Sequence, residues 1–293
     1  MYGLLSINKP TGITSRDVVN VVQNLVRPAK VGHAGTLDPL ATGVLIVCVG
    51  PATRLVQYIQ ELPKQYRAQF ELGKRSDTDD TEGAVEDIPD APVVSREQLD
   101  ALLPQFVGRI EQTPPVYSAI KVKGQRAYQR ARAGKPVELK PRPVTVYRCE
   151  LTGFNYPCFS LDVECGAGTY IRAIGRDLGA ALNSGAVMTA LQRSGVGPFD
   201  VSSAVNLDEI DADTLPRLLQ DPAVAFSRYP SYQAPADEAG LFRQGQPLRI
   251  PGVGELPDGR TIAVLDHHAR FVGVGEFRSR RGLVPRLVMP ETT

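Results

Sequence analysis

An unbroken apolar run at residues 43–50 (GVLIVCVG) constrains the fold most, because a short run with no polar residue is typical of a buried strand. The run is far shorter than the roughly 20 residues that a helix needs to cross a bilayer. The opening sequence, MYGLLSINKP, has no basic region leading into an apolar one, as a secretory signal does. We therefore expect a cytoplasmic protein with no membrane span.

The length and composition predict two folded domains. The chain has 293 residues, 42% hydrophobic and 22% charged, which are ordinary values for globular proteins. The sequence changes character after Arg228: YPSYQAPADEAG is polar and turn-forming, and the later apolar runs are short and separated by glycine and proline. We place the domains at residues 1–230 and 231–293, the second being small and β-rich.

Cysteine and histidine usage argues against a metal or disulfide framework. The four cysteines form no C-x-x-C pair and only three histidines occur, so structural zinc is not expected. Scattered thiols fit a reducing compartment. Residues 166–171 (GAGTYI) begin like a dinucleotide fingerprint but end in isoleucine where its last glycine belongs, and a G-x-x-x-x-G-K-[ST] loop is absent. We expect no metal and no cofactor.

Residues 77–81 (DTDDT) fit two other motifs only in part. For an EF-hand, the turn glycine comes one place late at Gly83, and Ile88 stands where a bidentate glutamate belongs. For an aspartyl-phosphate phosphatase, the nucleophile should end an apolar strand, but residues 73–76 (GKRS) intervene. Both functions are disfavoured, and alanine at Asp77 would abolish turnover only in a phosphatase.

Charge is balanced overall but concentrated locally. The net charge is +1, yet the segment 121–148 carries nine basic residues against Glu138 alone. Such a run predicts a phosphate-binding surface, with an ordinary solvated face as the alternative. The candidate RNA-binding residues are Lys121, Lys123, Arg126, Arg130 and Arg132.

Local patterns predict the main elements. Strands are predicted at 3–9, 43–50, 66–72, 144–154 and 159–165. Helices are predicted from Thr14 or Ser15 to Val26, from Pro51 to about Tyr58, and over 95–103 and 172–182. Residues 31–43 (VGHAGTLDPLATG) have no period and are predicted to form a loop, and 207–219 is amphipathic.

Asp38 and His33 in that glycine-rich loop are the residues that stand out chemically. A single loop aspartate is usually a turn residue, so these two leave the function open. Five segments then occur in order: GLLSINKPTGITS, KVGHAGTLDPLATGVL, KQYRAQFELGKRSDTDDTEG, QTPPVYSAIKVKGQRAYQRARAG and GTYIRAIGRDLG. Together they closely resemble the TruB family, the bacterial tRNA pseudouridine synthases.

The resemblance implies both fold and function. The fold is α+β: a catalytic domain with a large mixed, mainly antiparallel sheet flanked by helices, then a small PUA-like RNA-binding domain that residues 243–248 (RQGQPL) resemble at its start. The function is isomerisation of the uridine at position 55, in the T-loop of tRNA, to pseudouridine. We expect a guide-free monomer whose partner is the tRNA T-stem-loop, because that substrate offers one target site.

The family's motifs also imply roles for single residues. Asp38 matches the catalytic aspartate, which either attacks C1′ or removes a proton from C2′. Arg172 of the Y-x-R motif is expected to hold that carboxylate through a charge-assisted pair. Tyr66 matches the tyrosine that stacks on uracil and takes the C5 proton. Core packing for Tyr66 and a sheet-edge ion pair for Arg172 are the structural alternatives.

Other matches concern substrate binding. Tyr170 and Leu191 are expected to pack around the nucleotide, and His33 to fill the space that the flipped base leaves. Lys9 lies in the first motif, where it is expected to shape the catalytic loop. Three alternatives to a guide-free synthase stay open: an RNA-binding or tRNA-folding protein without catalysis, a guide-RNA-dependent enzyme, and the disfavoured phosphatase.

Overall fold

The computed structural model of the protein describes residues 1–118, 120–122, 124–134, 137–250 and 256–291. The chain divides into two compact units. The first comprises Met1–Leu37, Val44–Gln60 and Gly197–Thr293, and the second comprises Asp38–Gly43 and Glu61–Val196. Both units contain helices and strands. The domain boundary at residue 230 stays a prediction.

The strands of the first half are β1 (Gly3–Lys9), β2 (Val31–His33), β3 (Thr42–Val49), β4 (Lys64–Leu72), β5 (Lys74–Ser76), β6 (Val85–Asp87), β7 (Gly108–Gln112), β8 (Lys121–Val122) and β9 (Gln125–Arg126). Those of the second half are β10 (Arg142–Asn155), β11 (Cys158–Cys165), β12 (Ala186–Val196), β13 (Phe199–Asp200), β14 (Val205–Asn206), β15 (Ser231–Gln233), β16 (Thr261–Leu265), β17 (Phe271–Arg278) and β18 (Gly282–Val288).

The α-helices are α1 (Ser15–Val26), α2 (Val56–Glu61), α3 (Arg96–Leu102), α4 (Ala127–Arg132), α5 (Ile171–Ala181), α6 (Leu215–Leu218) and α7 (Ala236–Arg243). Short 3-10 segments cover Gly50–Leu55, Leu103–Phe106, Val201–Ser203, Leu207–Glu209 and Pro222–Phe226. Within the described ranges, no helix is long and apolar enough to span a membrane.

The second unit is built on antiparallel strands in the order β12-β4-β11-β10-β7. The first residues of β3 belong to this unit and join β12 in parallel, with Thr42 opposite Gln192 and Gly43 opposite Arg193. A β-carbon at Gly43 would lie 2.2 Å from the carbonyl oxygen of Arg193. Only glycine therefore lets the two strands approach at this point.

Strand β4 turns one face toward helix α5. Successive side chains of a strand point to opposite sides, so every second residue of β4 lies on that face. These residues are Lys64, Tyr66, Ala68 and Phe70. A β-carbon on Gly175 of α5 would lie 2.2 Å from the ring of Phe70, so helix and strand are in close contact there. This contact determines the position of α5, including its first turn, relative to strand β4.

The first unit contains β1 in parallel pairing with β14, and β2 in antiparallel pairing with β3. Helix α1 begins at a capping box, in which the Thr14 hydroxyl accepts from the backbone of Asp17 and the Asp17 side chain accepts from the backbone of Thr14. A four-stranded sheet, β15-β16-β17-β18, has its own apolar core, whose members include Phe242, Leu248, Val264, Val272 and Leu283.

Much of the predicted architecture is confirmed. The fold is α+β, and its large sheet is mixed and mainly antiparallel. The apolar run 43–50 is the buried strand β3, and α1, α3, β10 and β11 begin and end within two residues of their predicted limits. The segment after residue 230 is β-rich, as predicted.

Three local predictions were wrong. The predicted loop 31–43 contains β2, because Val31–His33 finds a partner strand in β3 that local sequence does not reveal. The helix predicted from Pro51 starts as a 3-10 segment and becomes α-helical only at Val56. The segment predicted to be turn-forming contains α7, where Asp237 and Glu238 in the first turn favour the positive end of the helix dipole.

Candidate active site

Arg172, in the first turn of α5, binds two carboxylates at once. Its Nε lies 3.1 Å from Oδ2 of Asp38, and its Nη1 lies 3.1 Å from Oδ2 of Asp80. The arginine side chain is 6% exposed and that of Asp80 is 2% exposed, whereas that of Asp38 is 35% exposed. The guanidinium therefore links an inner carboxylate to an outer one, and only Asp38 is open to an incoming molecule.

The remaining donors of Arg172 bind backbone oxygens. Nη1 donates to the carbonyl of Thr78, and Nη2 donates to the carbonyl of Tyr117 over 3.2 Å. Asp80 in turn accepts from the Thr78 hydroxyl at 2.6 Å and from the Glu82 backbone at 3.0 Å. With these groups engaged, Arg172 is fixed in one orientation, which a freely rotating surface arginine would not be.

Glu82 connects the loop that carries Asp38 to this network. Its carboxylate accepts from the backbone N–H of Leu40, two residues after Asp38. Burial raises the pKa of Glu82, and the nearby carboxylates of Asp80 and Asp38 raise it further. The loop is also closed on itself, because the Ala41 backbone donates to the carbonyl of Asp38 over 3.1 Å.

The sheet places two further candidate residues, Tyr66 and Leu191, on one face together with Arg193. Tyr66 of β4 is opposite Arg193 of β12, and Leu191 is opposite Ala68, two positions away on each strand. Leu191 is buried and Tyr66 is partly buried. Burial raises the pKa of the Tyr66 hydroxyl, while a hydrogen bond and the positive charge of Arg193 oppose that rise.

Tyr170 stands immediately before α5 and is held at both its backbone and its ring. The buried amide of Gln112 donates to the Tyr170 carbonyl over 3.0 Å and accepts from the Tyr170 N–H over 2.8 Å. The guanidinium of Arg142 lies 5.2 Å from the centre of the ring, within the range of a cation–π contact. Arg142 also donates to the Gly168 carbonyl over 2.7 Å.

The acidic loop 77–80 docks on α5 through a second arginine. Arg176, one turn after Arg172, binds Asp79 at 2.9 Å and donates to the Thr113 carbonyl over 2.7 Å. Burial raises the pKa of Asp79, and Arg176 opposes that shift. Asp77, the residue on which the phosphatase interpretation depended, is exposed.

Five predicted site residues, Asp38, Tyr66, Tyr170, Arg172 and Leu191, belong to the second unit. Lys9 and His33 belong to the first. The ammonium of Lys9 is buried and donates to the carbonyls of Pro10 at 2.8 Å and Ile13 at 2.7 Å, closing the turn after β1. His33 ends β2 opposite Val47.

The predicted basic surface is described only in part. Lys123 lies outside the described residues, and so do the side chains of Lys121, Arg126 and Arg132, whose backbones belong to β8, β9 and α4. Arg130 is partly buried. Two other basic residues of the run have intramolecular partners: Arg142 faces Tyr170, and Arg148 binds Glu150 at 2.7 Å.

Sequence reasoning missed four residues at this site: Asp80, Glu82, Gln112 and Arg193. Each acts through a partner that is distant along the chain. The one usable signal is the pair of arginines at i and i+4 on α5, which required acidic partners from elsewhere. Among the described residues, no group of histidine, cysteine and carboxylate side chains is arranged to hold a metal ion.

Three family models match this chain. Residues 23–171 match the N-terminal domain model of the TruB family pseudouridylate synthases. Residues 172–219 match the C-terminal domain of tRNA pseudouridylate synthase B, and residues 230–289 match the C-terminal model of pseudouridine synthase II TruB. The chain belongs to the TruB family of pseudouridylate synthases.

Curated relatives match over nearly the whole chain. The tRNA pseudouridine synthase B of Stutzerimonas stutzeri (strain A1501) is 41% identical over 97% of this chain and 94% of its own length. That of Azoarcus sp. (strain BH72) is 38% identical over 99% of this chain and 96% of its own. Among solved structures, a Cbf5–Nop10–Gar1 complex matches with a TM-score of 0.75 and 25% identity, covering 98% of this chain and 85% of that one.

Proposed function

We propose that the protein converts the uridine at position 55 of tRNA, in the T-loop, into pseudouridine, acting as a monomer without a guide RNA or a cofactor. The observation that carries the proposal is the buried Arg172 holding a partly exposed Asp38, in a chain of the TruB family. Support for tRNA as the substrate comes from relatives near 40% identity, which are named tRNA pseudouridine synthase B.

The reaction is an isomerisation, so its atoms and electrons balance without a redox partner. The bond from N1 to C1′ breaks, the uracil turns while still bound, and C5 forms the new bond to C1′. The hydrogen on C5 leaves as a proton, and N1 takes up a proton. A base inside a folded tRNA loop must first be unstacked, at a cost of a few kcal/mol.

Asp38 acts on the ribose side of the bond. Arg172 orients its carboxylate and stabilises the negative charge, and Asp80 holds the far side of the same guanidinium. The carboxylate either attacks C1′ as a nucleophile or removes the proton on C2′. Both routes use the same ionised, oriented oxygen atoms.

The other predicted site residues bind the flipped base and the surrounding RNA. Tyr66 stacks on the flipped uracil and takes the C5 proton, and Tyr170 and Leu191 pack around the nucleotide. His33 fills the place of the flipped base, and Lys9 shapes the turn after β1. The basic run, with Lys121, Lys123, Arg126, Arg130 and Arg132, binds tRNA phosphates.

Release of tritium from tRNA labelled at C5 of uridine tests this function. The wild type should release about one equivalent per tRNA, because the C5 hydrogen must leave when C5 replaces N1 at C1′, while Asp38→Asn should release none. No release by either protein, on a tRNA that both bind, would leave the non-catalytic tRNA-folding protein or a guide-dependent enzyme.

A further inference from the structure

We propose that Arg193 is a positioning residue for Tyr66, holding the tyrosine hydroxyl from the neighbouring strand while the C5 proton is removed. The inference rests on the proposed function, because only uridine isomerisation requires a proton to leave C5. Arg193 acts through Tyr66 and is not itself expected to contact the substrate.

The register of the sheet carries this inference first. Arg193 is directly opposite Tyr66 across the antiparallel pair β12–β4, so their side chains extend from the same face with β-carbons ~5 Å apart. The guanidinium donates a hydrogen bond to the tyrosine hydroxyl. On its other side, Tyr66 is opposite Val163 of β11, which offers the hydroxyl no polar group.

Burial gives the contact its rigidity. Arg193 is 1% exposed and is among the largest fully buried side chains of the described residues. A buried guanidinium must keep its hydrogen-bond partners, since losing one leaves a desolvated charge. The backbone of Arg193 is also packed against Gly43, where no β-carbon would fit, so neither end of the residue can shift easily.

The charges around Tyr66 differ in how permanent they are. Lys64 lies on the same face, and burial, then Arg193, lowers its pKa to about 8. Burial raises the pKa of the nearby Cys165 thiol to about 11, so that thiol is neutral at pH 7. Asp38 contributes a negative charge that disfavours a phenolate. Of the described groups named here, Arg193 is the one whose positive charge no accessible pH removes.

The chemical step explains why a fixed cation is useful at this place. After C5 has joined C1′, the C5–H bond breaks and its electron pair restores the C5=C6 double bond. The π pair of C6=N1 moves to N1, which takes up the Tyr66 hydroxyl proton, while the phenolate so formed accepts the C5 proton. Burial disfavours the phenolate that accepts this proton, and the Arg193 guanidinium favours it.

The test compares single-turnover rates on tRNA carrying hydrogen or deuterium at C5 of the target uridine. Arg193→Gln should lower the rate ~10-fold or more, because general-base steps of this kind contribute at least ~100-fold. It should also enlarge the deuterium isotope effect beyond that of the wild type, since loss of the positioning contact slows the C5–H step alone. Binding of tRNA should not change.

Two companion variants keep the test decisive. Arg193→Lys retains the charge but loses the forked donor, and it should show a smaller rate loss with the same enlarged isotope effect. Arg67→Gln alters an exposed arginine next to Tyr66 on the opposite face, and it should leave both readouts unchanged. Unfolding curves identify any variant that has lost its fold. If Arg193→Gln does not fold, the isotope effect of Arg193→Lys tests the positioning role instead.

The outcomes separate this inference from the proposed function. A wild type that releases no tritium from C5 overturns both. An active wild type whose Arg193 variants keep its isotope effect, even if they are slower through general destabilisation, overturns the positioning role alone.

Discussion

Two aspartates that share one arginine differ in burial, and this difference assigns them different tasks. Asp38 is open enough to meet a substrate, whereas Asp80 is enclosed and accepts a hydrogen bond from the Thr78 hydroxyl. The carboxylate proposed to react is therefore a different group from the one that holds the arginine in place. The two roles can be separated by substitution.

Asp38→Asn should abolish C5 tritium release and leave the unfolding free energy within ~1 kcal/mol, as is usual for a partly exposed ion pair. Asp80→Asn should lower the unfolding free energy by ~3 kcal/mol, because it leaves a buried guanidinium short of one charge partner. Urea unfolding followed by circular dichroism measures the second effect. Equal losses of unfolding free energy in the two variants would contradict the assignment of a structural role to Asp80 and not to Asp38.

A control comes from the same acidic loop. Asp77 is exposed, so Asp77→Ala should change the free energy of unfolding by no more than ~0.5 kcal/mol. The activation free energy of the reaction should change by no more than the same amount. A complete loss of turnover in this variant would favour the phosphatase interpretation of DTDDT over the synthase.

The sequence predicts the Asp38–Arg172 ion pair better than it predicts the residues that hold this pair in place. The Asp38–Arg172 pair was anticipated, because both residues stand in motifs that the family resemblance covers. Asp80 also lies in a segment that the resemblance covers, but no role was assigned to it, because the pattern DTDDT was compared only with calcium and phosphatase motifs, which it fits poorly. Its actual partner lies far away along the chain, and local patterns carry no signal for such a pairing.

Among the elements, α5 depends on a glycine at its contact with the sheet. Alanine usually stabilises a helix interior by ~1 kcal/mol relative to glycine. At Gly175, however, the added β-carbon would lie 2.2 Å from the Phe70 ring, so overpacking should dominate and cost ~1–3 kcal/mol net. Gly175→Ala should also lower activity, because Arg172 stands one turn away on the same helix.

Gly240 in α7 offers a matched control. A β-carbon there would meet no atom within 4 Å, so the helix preference acts alone. Gly240→Ala should therefore raise the unfolding free energy by ~0.5–1 kcal/mol, opposite in sign to Gly175→Ala. Thermal unfolding of both variants decides, and a shift of the same sign in each would contradict the packing argument.

The elements also show where sequence patterns succeed. Helices α1 and α3 begin at capping boxes, which are local signals written in adjacent residues, and both were predicted within one residue at their starts. Strand β2 was missed, because three residues become a strand only when β3 is available as a partner. Long-range pairing of this kind overrides local preference.

For the whole molecule, the buried Lys64 makes stability depend on pH in the alkaline range. Burial lowers its pKa from 10.5 to about 8, so the unfolded chain binds more protons than the folded one between these values. The free energy of unfolding therefore rises with pH across this range. Below pH ~8 Lys64 is charged in the folded state, and the full cost of burying that charge lowers stability. The difference should amount to ~2 kcal/mol between pH 8 and pH 10.

Urea unfolding of the wild type and of Lys64→Met at these two pH values measures the effect. The Cys48 and Cys149 thiols also titrate at alkaline pH, but they do so in both proteins and cancel in the comparison. Lys64 lowers the pKa of Cys165, so its loss moves that thiol's titration further above this pH range. The free energy of unfolding of the wild type should rise relative to that of Lys64→Met as pH rises. A constant difference across the range would show that Lys64 is not protonated differently in the two states.

One aromatic contact bears on how this protein can be recombined with its relatives. Phe226 and Phe271 are both 2% exposed and stack with ring centres 4.7 Å apart, and Asp221 accepts the backbone N–H of Phe271. Residues upstream of residue 230 thus pack against the four-stranded C-terminal sheet and bond to its backbone. A chimera with a foreign C-terminal module should therefore be joined before Asp221, so that residues 221–226 travel with the sheet they support.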